Sequence, residues 1–366
     1  MARENDAPPQ PPLPCDLLCE ILAKLPVKSL MRFKCVSKQW NSIISDTHFA
    51  KLHLHSSTVD PALTRHRLLL PTRTGQEVIS CSVNSLLNDP LTFPENVDFM
   101  LRHNYEILGS CNGLMCLADC YNGDVRLWNP STRLVSRKSP FMEVDDDEIA
   151  MCHGFGYDCV SGNYKVVLVF PDPSSDNLHR TVTKVYAFGD DSWTTIQGLS
   201  FLGDPTNGLG KFVGNSLNWV ASGAREKWVM LSFDLGKEAF QHLSLPDFGD
   251  DIPEGPIQAV LKDCLCVCFD HEETHLVVWL MKEYGVKESW VKLMAIPHVE
   301  LQIFGFVPHI EPLCMSEDGV VLVYTTFVRA VVYDSKVGRL EFPEIQSDKV
   351  WYEQFIYIES LVSPCF

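Results

Sequence analysis

From Leu17 to Leu25 the apolar residues Leu17, Leu18, Ile21, Leu22 and Leu25 recur at i, i+1, i+4, i+5 and i+8, the spacing of one helical face. Asp16 stands at the start of this run, where a carboxylate favours a helix N-terminus, and Pro26 stops it. A second helix is expected from Val27 to Val36, with two apolar stripes: Leu30, Phe33 and Val36 on one, Met31 and Cys35 on the other, and Arg32 and Lys34 between them. Two stripes on a module of roughly 40 residues ask for more core than so small a unit closes, so something else is expected to cover the second. Ser37 is placed as the N-cap of a third helix that carries Trp40, Ile43 and Ile44.

Beyond a linker read at 56–65, where Ser, Thr, Asp and Pro collect, the pattern changes to strands. It begins with Leu68 to Leu70 and Val78 to Val83. Short runs rich in Val, Leu, Tyr, Phe and Trp then alternate with Gly, Asn, Asp and Pro turns almost to the end, with no amphipathic helix expected among them. Five segments align as a loose repeat: Val125 to Trp128, Val185 to Phe188, Met230 to Phe233, Val277 to Leu280 and Val331 to Tyr333. Each runs into a polar turn and then an apolar residue, such as Trp193, Phe240, Trp290 or Phe342. One or two further strands precede each, in Ile107 to Leu117, His153 to Phe170, Lys211 to Val220, Ala259 to Phe269 and Cys314 to Tyr324. A landmark spacing of about 45–60 residues is what four-stranded propeller blades need. A sixth blade is expected from pairing Leu68–Val83 with Trp351–Val362, which joins both ends of the domain and hides its edges.

Two resemblances rest on these residues. Leu13-Pro14, Leu25-Pro26, the run from Pro26 to Leu30, then Cys35-Val36-Ser37-Lys38 and Trp40 resemble an F-box. That three-helix motif docks on a Skp-type adaptor and so joins a cullin-RING ubiquitin ligase. Gly109-Ser110-Cys111-Asn112-Gly113-Leu114, Leu127-Trp128-Asn129-Pro130-Ser131-Thr132, Gly154-Phe155-Gly156-Tyr157-Asp158, Tyr164 to Val167 and Val185-Tyr186 resemble the F-box-associated domain of plant F-box proteins, similar in outline to kelch propellers. The chain lacks the diglycine that true kelch blades carry. The implied fold is mainly β with a small all-α N-terminal module: a three-helix F-box followed by an irregular, kelch-like β-propeller of about six blades. Its parts are a disordered Pro-rich leader at 1–12, the F-box at 13–55, the linker and the propeller domain at 66–366. The resemblance implies that Leu13, Pro14, Leu17, Ile21, Leu25, Pro26, Val27, Leu30, Met31, Ser37 and Trp40 contact the adaptor. It also implies that propeller loops bind a protein substrate to be ubiquitinated. An adaptor-bound scaffold that promotes no degradation, or a propeller enzyme, are the alternatives.

Composition narrows the setting. The 366 residues allow two unequal units with ample core, and no run of about 18 apolar residues suggests a membrane span. The N-terminus is polar and proline-rich, unlike a signal peptide. Fourteen cysteines without a Cys-x-x-Cys pair then read as reduced thiols of a cytoplasmic or nuclear protein. Net charge is -17, divided as 10 Lys/Arg against 6 Asp/Glu in the first 75 residues and 20 against 41 in the remainder, that is +4 and -21. The large part should repel nucleic acid.

Candidate chemistry is sparse. His271-Glu272-Glu273-Thr274-His275 fits the H-E-x-x-H zinc pattern, but that chemistry needs a helix, and strand-like flanks make these five residues a hairpin tip. Cys264, Cys266 and Cys268 alternate along one strand, with nearly 7 Å per step, too far apart for one tetrahedral site, and read with Cys111, Cys116 and Cys120 as core thiols. Asp145-Asp146-Asp147-Glu148 and Asp247, Asp250 and Asp251 lack calcium-loop spacing and read as solvated loops. Asn112-Gly113 suits a type I′ turn and Asn129-Pro130-Ser131-Thr132 a Pro-fixed turn, both structural. No catalysis, metal or cofactor is expected of this chain.

Overall fold

The computed structural model describes residues 14–72, 77–97, 105–119, 123–142, 150–172, 180–200, 205, 208–223, 228–248, 254–298, 310–325, 330–347 and 353–365. The leader at 1–12, Leu13, Cys120, Asp145 to Glu148, Asp250, Asp251 and Trp351 lie outside them.

The N-terminal module has four helices, α1 (Cys15–Ala23), α2 (Val27–Phe33), α3 (Lys38–Ile44) and α4 (Thr47–Thr58). Ser37 caps α3, its Oγ accepting the Trp40 amide at 3.1 Å. The fourth helix corrects the three-helix reading and carries the module three residues into the stretch read as linker. Asp46 starts it by accepting the amides of His48 and Phe49 at 2.8 and 3.0 Å. Its inner face includes the polar His53 and Ser57, both buried, which is why apolar periodicity did not reveal it. A second correction concerns α2, which ends at Phe33 rather than Val36. Tight turns follow, Cys35 N to Arg32 O and Val36 N to Phe33 O, so Val36 leaves the line of Leu30 and Phe33.

Among the described residues six four-stranded antiparallel sheets follow, with one two-stranded parallel sheet that pairs Leu91–Thr92 with Glu344–Ile345. Blade 2 is Tyr105–Cys111, Leu114–Asp119, Asp124–Asn129 and Leu134–Val135. Blade 3 is Cys152–Asp158, Asn163–Pro171, Arg180–Ala187 and Thr194–Ser200. Blade 4 is Lys211–Val213, Ser216–Ser222, Trp228–Asp234 and Ala239–Leu243. Blade 5 is Glu254–Leu261, Cys264–His271, His275–Met281 and Trp290–Pro297. Blade 6 is Ile310–Met315, Val320–Thr325, Val331–Asp334 and Arg339–Glu341. Blade 1 takes its first strand, Phe355–Ile358, from the C-terminus and the others, His66–Pro71, Val78–Ser82 and Glu95–Asn96, from the N-terminal side. Leu68 pairs with Ile356 across this junction, as expected. The first strands of blades 1 to 6 touch in cyclic order, so they form the inner ring of a closed six-bladed propeller.

The core is divided among the blade interfaces. Leu69 and Tyr357 meet Met115 and Trp128 between blades 1 and 2, and Leu127 meets Phe155 between 2 and 3. Val167 meets Leu217 between 3 and 4, Val220 meets Leu265 between 4 and 5, Cys266 meets Val321 between 5 and 6, and Leu322 meets Leu68 between 6 and 1. Each middle strand is therefore covered on both faces, and Tyr164 to Phe170 is buried without interruption instead of alternating.

Two further differences from the sequence reading occur at the rim. Val78–Ser82 ends before Val83, which starts a short helix, α5 (Val83–Asn88), capped by Ser82. In blade 6 the apolar residue of the outer strand is the buried Leu340, whereas Phe342 lies beyond the strand and is exposed.

The two propeller faces differ. First-to-second and third-to-fourth strand turns lie on one, including Asn112-Gly113, whose φ angles of 53° and 78° are those of a type I′ turn. A Cβ on Gly113 would overlap the Ile358 carbonyl and the Ser360 side chain. The helical module joins this same face through Arg65 and the strand His66–Pro71, which pairs with the end of the closing strand. The opposite face carries the ends of the second strands and the starts of the third, among them the hairpin turn at Glu272 and Glu273.

Candidate functional site

Two sides of α1 have separate duties. Leu18, Leu22 and Ala23 turn inward to join Leu30, Ile44 and Phe49 in a closed module core. One residue away on each turn, Leu17 and Ile21 remain 48% and 52% exposed at i and i+4 of the opposite side. The single apolar face read from sequence is therefore two strips, because neighbouring residues on a helix differ by 100°.

Of the residues expected at the adaptor, Pro14, Leu17, Ile21 and Pro26 are exposed, and Leu25, Met31 and Trp40 are half-buried. Trp40 stands edge-on to Phe33, with ring centroids 5.3 Å apart. Ser37 is exposed, but its hydroxyl serves α3 as its cap. Val27 and Leu30 are 1% and 0% exposed, and Leu30 belongs to the module core. Leu13 lies outside the described residues. Val36, 61% exposed, belongs to the surface, and the Ser37 cap was the signal that α2 must end before it. The exposed cations beside these residues are Lys24, Lys28, Arg32 and Lys38.

Polar contacts hold the corner between α1 and α2. His53 Nε2 donates to the Leu25 carbonyl at 3.0 Å, and burial, with the Arg65 charge adding to it, keeps its ring below the ordinary histidine range. The Arg65 guanidinium donates to the Lys24 carbonyl.

The other sequence candidates take structural places. His271 and His275 face each other as the last pair of a hairpin, and Glu272 and Glu273 sit at φ of 49° and 55° in its turn, so they do not share a helix face. Cys266 and Cys268 lie in the core between blades 5 and 6, and burial pushes the Cys266 thiol up to about 12. Cys111 is likewise pushed up to about 12, and Cys116 is raised further. Asp247 is exposed. Asn129 is wholly buried: its Oδ1 accepts the amides of Ser131 and Thr132 at 2.8 and 3.2 Å. Its Nδ2 donates to the carbonyls of Ser360 and Val362 at 3.0 and 2.8 Å. The same turn cap recurs where Asp234 Oδ1 accepts from Gly236 and Lys237 and where Asp334 Oδ1 accepts from Lys336 and Val337. Among the described residues no helix is long and apolar enough to cross a membrane.

Comparison with known proteins agrees with both halves. The model of the F-box domain matches residues 12–52, and that of the F-box associated beta propeller domain matches residues 70–364. Arabidopsis thaliana F-box/kelch-repeat protein At3g23880 is 30% identical over 96% of this chain and 96% of its own length. Arabidopsis thaliana F-box protein CPR1 is 27% identical over 96% and 89%, and F-box protein At5g49610 of the same plant 26% identical over 96% and 97%. The four-helix module with its uncovered apolar strip, the closed ring and these full-length relatives make the chain a member of the F-box proteins that carry an F-box associated beta propeller domain.

Proposed function

We propose that this chain is the substrate-recognition subunit of a Skp-cullin-F-box ubiquitin ligase. The observation that carries this reading is the exposed pair Leu17 and Ile21 on a module whose core is already filled from the other side of the same helix. An apolar strip that its own domain does not cover marks a protein contact. With Pro14 and Pro26 exposed beside it and Met31 and Trp40 half-buried, this strip meets the Skp-type adaptor and, through it, the cullin-RING ligase.

The target protein meets the loops of the propeller. The mechanism is proximity. A bound target is held near the ubiquitin-charged enzyme, and its lysines gain effective concentration without chemistry in this chain. The protein works in the cytoplasm or the nucleus.

The test is reconstitution. Purified full-length chain mixed with a plant Skp-type adaptor and cullin-RING core is expected to co-elute as one complex, and separate elution at micromolar concentration refutes the reading. In cells, proximity labelling with and without proteasome inhibition identifies targets. Labelled proteins whose abundance does not rise when this chain is removed indicate a scaffold in place of a degradation receptor.

A further inference from the structure

The last residues of the chain reach the first helices. Glu359, directly after the closing strand Phe355–Ile358, sits at the start of α2, where burial raises its carboxyl group and Arg67, Arg65 and the Val27 N–H act to lower it. Arg65, directly before the strand His66–Pro71, donates to the carbonyl of Lys24, which ends α1. A carbonyl in the last turn of a helix has no partner within that helix, so Arg65 completes the end of α1 at the Pro26 corner. The two propeller residues are tied to each other, since the Glu359 amide donates to the Arg65 carbonyl at 2.9 Å. Two residues further on, Leu361 packs into the helical core beside Leu18, Leu22, Leu30 and Ile44. On its other side this segment is held by blade 2, where Asn129 Nδ2 donates to the Ser360 and Val362 carbonyls. Ser360 is fully buried between them. Lys28 and Glu95 add an ion pair at 3.5 Å, but both are well exposed and contribute little.

We infer that Arg65, Glu359 and Leu361 are positioning residues that fix the helical module on the propeller as one rigid body. Two domains joined only by a chain move against each other by default. Here the core of one domain is completed by a side chain of the other, after a strand that itself closes the ring. The direction of the propeller's opposite face relative to the docking strip is therefore set by the C-terminal segment. That consequence for ubiquitin transfer rests on the ligase reading, whereas the coupling itself does not.

The test compares full-length wild type with Leu361→Asp, which puts a charge into the helical core, and with Arg65→Met, a milder change that removes one helix-end contact. Cys35 on the module and Cys159 on the propeller are both exposed and accept spin labels once the exposed Cys15 and Cys365, the partly exposed Cys19 and Cys264, and Cys120 are replaced by serine. Wild type is expected to give a single narrow distance distribution, and Leu361→Asp to broaden it at least about twofold, as for domains without a shared core. Arg65→Met, which leaves the packing intact, should broaden it less. Circular dichroism and adaptor binding should stay at wild-type values in Arg65→Met. A broad wild-type distribution, or equal widths in wild type and Leu361→Asp, overturns the inference. In a reconstituted ligase the lysines of this chain that receive ubiquitin should be few in wild type and spread over more positions in the variants. A wild-type chain that binds no adaptor while its label distances remain narrow refutes the ligase reading and leaves the coupling standing.

Discussion

Leu17 and Ile21 allow the docking proposal to be tested quantitatively. Replacing both by alanine removes the exposed strip of α1 while leaving Leu18, Leu22 and Ala23, the inward side, untouched. Fully burying a leucine or isoleucine is worth about 1.5–3 kcal/mol. With 48% and 52% of these residues still open to solvent, covering the remainder contributes about 1 kcal/mol each. Together that is about 2 kcal/mol, or about 30-fold in Kd at 1.4 kcal/mol per tenfold. Calorimetric titration of the purified chain with a Skp-type adaptor reads this directly, and the thermal unfolding midpoint of the double variant should match wild type. Leu30→Ala is the contrasting variant: at 0% exposure it should cost about 2–5 kcal/mol of module stability, so any loss of adaptor binding comes with unfolding. A double variant that binds the adaptor within about twofold of wild type, the spread of an uninvolved surface change, refutes the assignment of this strip.

Other outcomes follow from the propeller. Asn129→Ala removes the donor to Ser360 and Val362 and the turn cap of Ser131 and Thr132, at a cost of about 3 kcal/mol from buried groups left unpaired. Denaturant unfolding should show the loss, and carboxypeptidase should trim the C-terminus of the variant faster. Lys165 Nζ donates to the Leu235 carbonyl at 2.8 Å and to Glu238 at 2.7 Å and lies 3.1 Å from Asp158, joining blades 3 and 4. Against burial, which raises it, hydrogen bonds from Ser161, Val160 and Lys165 bring the Asp158 carboxyl down to about 2. Lys165→Met strands this carboxylate and should cost about 3 kcal/mol in the same assay. Burial brings His153 from 6.5 down to about 4. The folded state then holds fewer protons than the unfolded one, so the stability it contributes is present above pH 6.5 and is lost as pH falls toward 4. The unfolding midpoint of wild type should fall more steeply over that window than that of His153→Gln, and parallel curves would show that burial of this ring is not linked to folding.

Local pattern was enough for the parts whose physics is local. The repeated third strands, from Val125 to Trp128 through Val331 to Tyr333, stand where the repeat placed them, because each blade must bury the same strand between two neighbours. Pairing of Leu68 with the C-terminal segment was legible from the unpaired strands left at both ends, since a propeller with open edges is not closed. The hairpin of His271 to His275 followed from its strand flanks. The end of α2 and the whole of α4 did not follow from apolar periodicity. Caps at Ser37 and Asp46 decide them, with the buried polar residues His53 and Ser57.

The amino-acid order alone determined the class of α1, α2, α3 and the blade strands, and the two-part plan with about six blades, because helix and strand periods and turn chemistry act over a few residues. Only the tertiary structure decided which apolar residues of the module stay outside. Leu17 and Leu18, or Leu30 and Met31, are equally apolar neighbours, and their burial depends on what packs against the helix from Ile44, Phe49 and Leu361. That last contact spans more than 300 residues of chain, from α1 to the C-terminal segment, and no pattern of short range can encode it.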